Sequence, residues 1–111
     1  MNIRAIPAIF LLTIFLSGCG IPVPVDKAHY VGEWRAPEMY LSISPTGKVE
    51  YERRGKSTRT TITGPIQEFK GNDFSVGLPF LSATFVVSKP PYKEGDRWKM
   101  VVDGIELTKV Q

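Results

Sequence analysis

Cys19 is the only cysteine and His29 the only histidine of the 111-residue chain. Together they bound the nucleophilic and metal chemistry open to it. A serine–histidine–aspartate arrangement needs a histidine held by a buried partner. His29 instead follows the proline-containing stretch "GIPVPVDKA", a poor place for a rigid base. One histidine and one cysteine are too few for a zinc ligand set. Carboxylate pairs are the remaining route to acid–base work. Glu50 and Glu52 share a strand face opposite Val49 and Tyr51, which turns both to solvent. There is no glycine-rich phosphate loop. The sequence therefore predicts a non-enzymatic protein with no cofactor and no metal. A hydrolase using surface carboxylates ranks last.

The setting of Cys19 says more than its thiol. Residues 1–18 read "MNIRAIPAIFLLTIFLSG". A polar start with Arg4 leads into an apolar core from Ala5 to Leu16, and small residues follow. That order predicts a secretory signal peptide over 1–18. Its apolar core has 12 residues, whereas a bilayer-spanning helix needs about 20. An exported protein meets an oxidising compartment, where an unpaired thiol is a liability.

The end of this segment, "LSGC" from Leu16 to Cys19, resembles the lipobox of bacterial lipoproteins. The resemblance covers about the first 20 residues. It implies cleavage between Gly18 and Cys19, a diacylglycerol on the cysteine sulfur and acylation of the freed amine. Two or more chains hold a protein firmly on a membrane, where one alone is marginal. In Gram-negative lipoproteins an aspartate after the cysteine commonly retains the protein at the inner membrane. Gly20 stands there, so the resemblance implies the outer membrane, facing the periplasm.

Cleavage before Cys19 leaves 93 residues, enough for one domain. No disulfide can form within it. Without Arg4 the balance is 13 Lys and Arg against 11 Asp and Glu, too mild to predict a nucleic-acid partner. Residues 19–29 read as the acylated N-terminus and a tether, since Pro22 and Pro24 favour extended backbone. Residues 30–111 read as the folded domain.

From Tyr30 onward alternation dominates and no helical apolar period persists. "DRWKMVVDGIELTKV" predicts a hairpin around Asp103-Gly104, a two-residue turn signal. It places Trp98, Met100, Val102, Ile105 and Leu107 on one face and sets Trp98 opposite Lys109. "YLSISPTGKVEYE" predicts a second hairpin, with Leu41, Ile43, Val49 and Tyr51 inward and Gly47 closing the loop. "TRTTIT" is rich in β-branched residues. "PIQEF" and "DFSVG" flank a Gly71-Asn72 turn. "LSATFVVS" puts Leu81, Ala83, Phe85 and Val87 on one side. "KPPYKEGD" reads as a loop because of its consecutive prolines. Seven to nine short strands predict an all-β domain, a small antiparallel up-and-down barrel with a β-sandwich as the alternative.

"HYVGEWRAP" adds a second resemblance: Gly32-Glu33-Trp34 opening the first strand is similar to the lipocalin signature. The resemblance implies a tryptophan, Trp34, closing one end of a barrel under a basic residue of the last strand. Lys109 is the candidate, where that family usually has arginine. Trp34, Trp98 and Lys109 are then the candidate ligand-binding residues for a small apolar molecule. Trp34, Tyr51, Phe69, Phe74, Phe85 and Trp98 point inward, and short strands favour a core filled by them. "YERRGKSTRT" gathers Arg53, Arg54, Lys56 and Arg59 at a hairpin tip with Gly55 as its turn residue. These could contact anionic headgroups or an acidic partner. The leading expectation is a lipid-anchored envelope domain that binds a protein or another envelope component.

Overall fold

The alternation in the sequence becomes strand from Gly32 onward. A computed structural model describes residues 21–78 and 80–110. Among these, nine strands follow a six-residue 3₁₀ segment, Val25–Tyr30, that kinks at Lys27. They are β1 (Gly32–Ala36), β2 (Met39–Ile43), β3 (Lys48–Arg54), β4 (Arg59–Lys70), β5 (Asp73–Gly77), β6 (Ser82–Phe85), β7 (Val87–Glu94), β8 (Arg97–Val102) and β9 (Ile105–Lys109). All pairings are antiparallel, in the order β6-β5-β4-β3-β2-β1-β9-β8-β7. The result is one strongly curled, half-barrel sheet rather than the two sheets of a sandwich. Every neighbour is also next in sequence except at β1–β9, which joins the first strand to the last.

The predicted hairpins form in the predicted register. Met100 faces Leu107 and Val102 faces Ile105 around Asp103-Gly104. Asp103 takes a positive φ of 49°, as a type I′ turn requires. Ile43 faces Val49 and Leu41 faces Tyr51 across the loop that Gly47 closes. Lys70 faces Asp73 around Gly71-Asn72. "TRTTIT" and "PIQEF" join in the single long strand β4, whose first half pairs with β3 and whose second half pairs with β5.

Alternate side chains from these strands converge on one core. Trp34, Leu41, Val49, Ile66, Val76, Met100, Val102 and Leu107 are wholly shielded from solvent. Each large apolar side chain so buried stabilises the fold by about 1.5–3 kcal/mol. The aromatic rings pack on one another: Phe74 stacks on Phe85 with centroids 5.0 Å apart, and Tyr51 meets Phe85 edge-on at 5.0 Å. Tyr30 adds edge contacts to Phe69 and Phe74. Trp98 and Phe69 are half-buried and pack against this core.

Two expectations are corrected. "KPPYKEGD" is not a loop: Val87–Glu94 forms β7, through Pro90 and Pro91. The strand tolerates them because β7 is an edge and its pairing with β8 is irregular between Lys89 and Tyr92, so no ladder N–H is demanded there. Leu81 does not point inward. It is 63% exposed, because β6 begins only at Ser82.

The two sheet edges, β6 and β7, are consecutive in the chain, separated by Val86 alone. The chain crosses there from one edge to the other. Ladder hydrogen bonding stops, and two carboxylates replace it. Asp103 Oδ1 accepts from the Val86 N–H at 2.9 Å, and Asp73 Oδ1 accepts from the Val87 N–H at 2.8 Å. The Asp103 N–H donates back to the Val86 carbonyl.

Ile21–Pro24, within the stretch read as a tether, lies against the sheet. The Ile21 N–H donates to the Ile66 carbonyl and the Val23 N–H to the Pro45 carbonyl. Gly47 has a φ of +90°, and a Cβ there would collide with the Ile21 carbonyl oxygen. The glycine thus serves both the turn and the seating of the N-terminal segment.

Candidate functional site

The Gly-x-Trp stretch and the last strand meet where the resemblance implied. Trp34 faces Lys109 across the β1–β9 pairing. Lys109 Nζ lies 4.9 Å from the centre of the Trp34 ring and 5.8 Å from that of Trp98. It also donates to the His29 carbonyl at 3.1 Å. Burial among these rings pushes the ammonium pKa below its usual value. Gly32 makes room: its φ is +140°, and a Cβ would press the Lys109 stem at 3.1 Å. Trp34 Nε1 donates to the Tyr30 carbonyl at 2.9 Å, so the ring is satisfied as well as buried.

Outside this cap, the His29 ring stacks on Trp98 with centroids 4.4 Å apart. By sequence, His29 reads as a solvated or capping residue. It is exposed, yet its ring covers the tryptophan and its carbonyl holds the lysine. Tyr30 is the other residue missed. Its hydroxyl donates to the Asn72 carbonyl at 2.8 Å. Burial first, and the nearby Asp73 carboxylate second, push its pKa up to about 12. A tyrosine two residues before Gly32 was the available signal, obscured by the assignment of its neighbours to a tether.

Trp34, Trp98 and Lys109 are therefore brought together. Trp34 is fully buried and the lysine spans the two indoles. Of the other inward aromatics, Tyr51, Phe69, Phe74 and Phe85 pack on one another.

The basic hairpin tip forms a second cluster. Arg54 faces Arg59 at the last β3–β4 pair, and Gly55 donates to the Thr58 carbonyl to close the turn. Arg53 faces Met39 and Thr60. Glu52 Oε2 receives the Arg59 and Arg54 Nε groups at 3.0 and 3.4 Å. Lys56 is exposed at the turn. A cation that sequence reading missed joins them. Arg35 of β1 lies over the Tyr40 ring, 4.7 Å from its centre, and Tyr40 in turn faces Glu52. Arg35, Met39, Tyr40, Glu52 and Arg54 line a cleft of about 150 Å³. The β1–β2 register was the signal that would have found Arg35.

Glu50 pairs with Lys48 at 3.5 Å on the outer face. Among the described residues no group of three or more His, Cys, Asp or Glu side chains converges to hold a metal ion. No described helix is long and apolar enough to cross a membrane. Gly18 and Cys19, the cleavage and lipidation positions, lie outside the described residues. Compared with known proteins, the chain matches no family model, no curated protein and no solved structure.

Proposed function

We propose that the chain is a lipid-anchored, non-enzymatic β domain of the cell envelope that binds a protein or another envelope component. The observation that carries this reading is "LSGC" at the end of a short apolar run, with the chain's only cysteine at its last position. Acylated Cys19 would be the first residue of the mature protein, and Gly20 after it favours the outer membrane facing the periplasm. With Ile21 docked on the sheet, a single residue would separate such an anchor from the domain. Mass spectrometry of the mature N-terminus tests it. A diacylglyceryl, N-acylated Cys19 with residues 1–18 removed is expected; an intact Met1 or a free thiol refutes it. Pull-down from detergent-solubilised envelope is expected to recover a specific partner.

A lipocalin-like binder of a small apolar molecule is the second reading, favoured by Lys109 over Trp34. It ranks lower because the rings that would line a pocket pack on each other. Titration with a fluorescent fatty-acid analogue tests it: saturable quenching of tryptophan emission supports a ligand site, and unchanged emission removes it.

A further inference from the structure

We infer that the β3–β4 tip, with Arg35 beside it, is a membrane-distal docking surface for an acidic segment of an envelope protein. The inference rests on the lipid-anchor reading and adds an orientation to it. Ile21, two residues after Cys19, is tied to the Gly47 loop and to Ile66. Two residues of chain reach about 7 Å at most, whatever their conformation. The anchor therefore leaves the domain beside the β2–β3 loop. That is the end of the β3–β4 hairpin where Lys48 faces Pro65. Arg54 and Arg59 face each other at its opposite end. The six steps of β3 between them span roughly 20 Å. The screening length at physiological salt is about 8 Å. With the hairpin standing off the bilayer from this anchored end, headgroup charge does not reach these cations, which leaves them to a protein partner.

The tip carries a surplus of positive charge. Arg35, Arg53, Arg54, Lys56 and Arg59 stand against Glu38 and Glu52. Among the described residues Arg35, Arg53 and Lys56 make no ion pair. Glu52 already shows what the site accepts, since two guanidinium groups converge on its carboxylate. A guanidinium carries five donors, so two of them exceed what one carboxylate can take. Planar forks suit carboxylates, and the cleft beside them is floored by Tyr40, already covered by Arg35. A run of Asp and Glu side chains on an extended segment matches this surface.

The full chain is tested on vesicles, anchored through Cys19. A fluorescent deca-glutamate peptide is the binding probe on neutral phosphatidylcholine. Arg54→Gln/Lys56→Gln/Arg59→Gln is expected to weaken binding by roughly tenfold or more. Lys70→Gln/Lys89→Gln/Lys93→Gln removes the same charge elsewhere and is expected to change it by about twofold or less. Equal loss in both variants, or no binding by the parent protein, overturns the docking surface. Orientation is read with a dye on Thr46→Cys or Lys56→Cys and a headgroup-bound quencher. Strong quenching at position 46 and weak quenching at position 56 is expected. Equal quenching on a stably anchored protein overturns the orientation alone, while protein that leaves the vesicles refutes the lipid-anchor reading beneath it. Quenching at position 56 that appears only with phosphatidylglycerol assigns the tip to lipid and overturns the protein partner.

Discussion

Lys109 Nζ lies 4.9 Å above the Trp34 ring and holds the His29 carbonyl at 3.1 Å. One side chain of the last strand thus ties down the segment that precedes the first. Partly buried cation–π contacts contribute about 1–2 kcal/mol, and a charged hydrogen bond a similar amount. Burial of the ammonium offsets part of that gain, so Lys109→Ala is expected to cost about 1 kcal/mol in urea unfolding, with a change in tryptophan emission. Lys109→Arg is expected to keep most of that stability.

Gly47 holds a positive φ against the Ile21 carbonyl. Gly47→Ala adds backbone strain of about 1–2 kcal/mol and pushes the N-terminal segment off the sheet. The expected result is a lower melting temperature together with faster amide exchange at Ile21 and Val23. Unchanged exchange at those two amides would contradict the seating described here.

The Val86 corner depends on two carboxylates. Asp73→Ala leaves the part-buried Val87 N–H without its acceptor, at an expected cost of about 1–2 kcal/mol, while water replaces the acceptor at the exposed Val86 N–H and Asp103→Ala is expected to cost about 1 kcal/mol or less. Asp103→Asn should be nearly neutral. Asparagine retains the acceptor and tolerates the left-handed backbone that Asp103 adopts. Thermal unfolding of the three variants separates these outcomes.

Phe85 stacks on Phe74 and meets Tyr51, linking edge strand β6 to the middle of the sheet. Phe85→Ala is expected to cost about 3–5 kcal/mol, the usual range for a buried aromatic ring. Urea denaturation measures it.

Alkaline pH should unfold the domain partly through Tyr30. Its pKa is about 12 in the fold against 10.0 otherwise. Below pH 10 the phenol is neutral in both states and its contribution is intact. Between about pH 10 and 12 the unfolded chain ionises first, so stability falls as pH rises. Lys109 acts in the opposite sense: its lowered pKa relieves a burial penalty as pH rises toward 10.5. Tyr30→Phe is expected to flatten the loss between pH 10 and 12 in equilibrium unfolding.

Strand positions were legible because they are local. Met100 opposite Leu107 and Ile43 opposite Val49 follow from period-two alternation and from turn residues a few positions away. β7 was not legible, because Pro90 and Pro91 forbid a central strand but not an irregular edge, and edge status is a property of the whole sheet. The docking of Ile21 and Val23, within the stretch that reads as a tether, was not legible for a similar reason. Their backbone partners, Pro45 and Ile66, are far along the chain.

By itself, the sequence determined that the domain is all-β, where its hairpins turn, and that Trp34, Tyr51, Phe74 and Phe85 face inward. These follow from alternation and turn chemistry within about a dozen residues. It also marked Cys19 as the point of interest at the N-terminus. Only the tertiary structure decided that Lys109 holds the His29 carbonyl while the His29 ring covers Trp98, that β6 and β7 are the open edges, and that Ile21 docks at the end of the β3–β4 hairpin away from Arg54 and Arg59. Those facts depend on how far the sheet curls before β1 meets β9, and curl is summed over nine strands rather than encoded in any one of them.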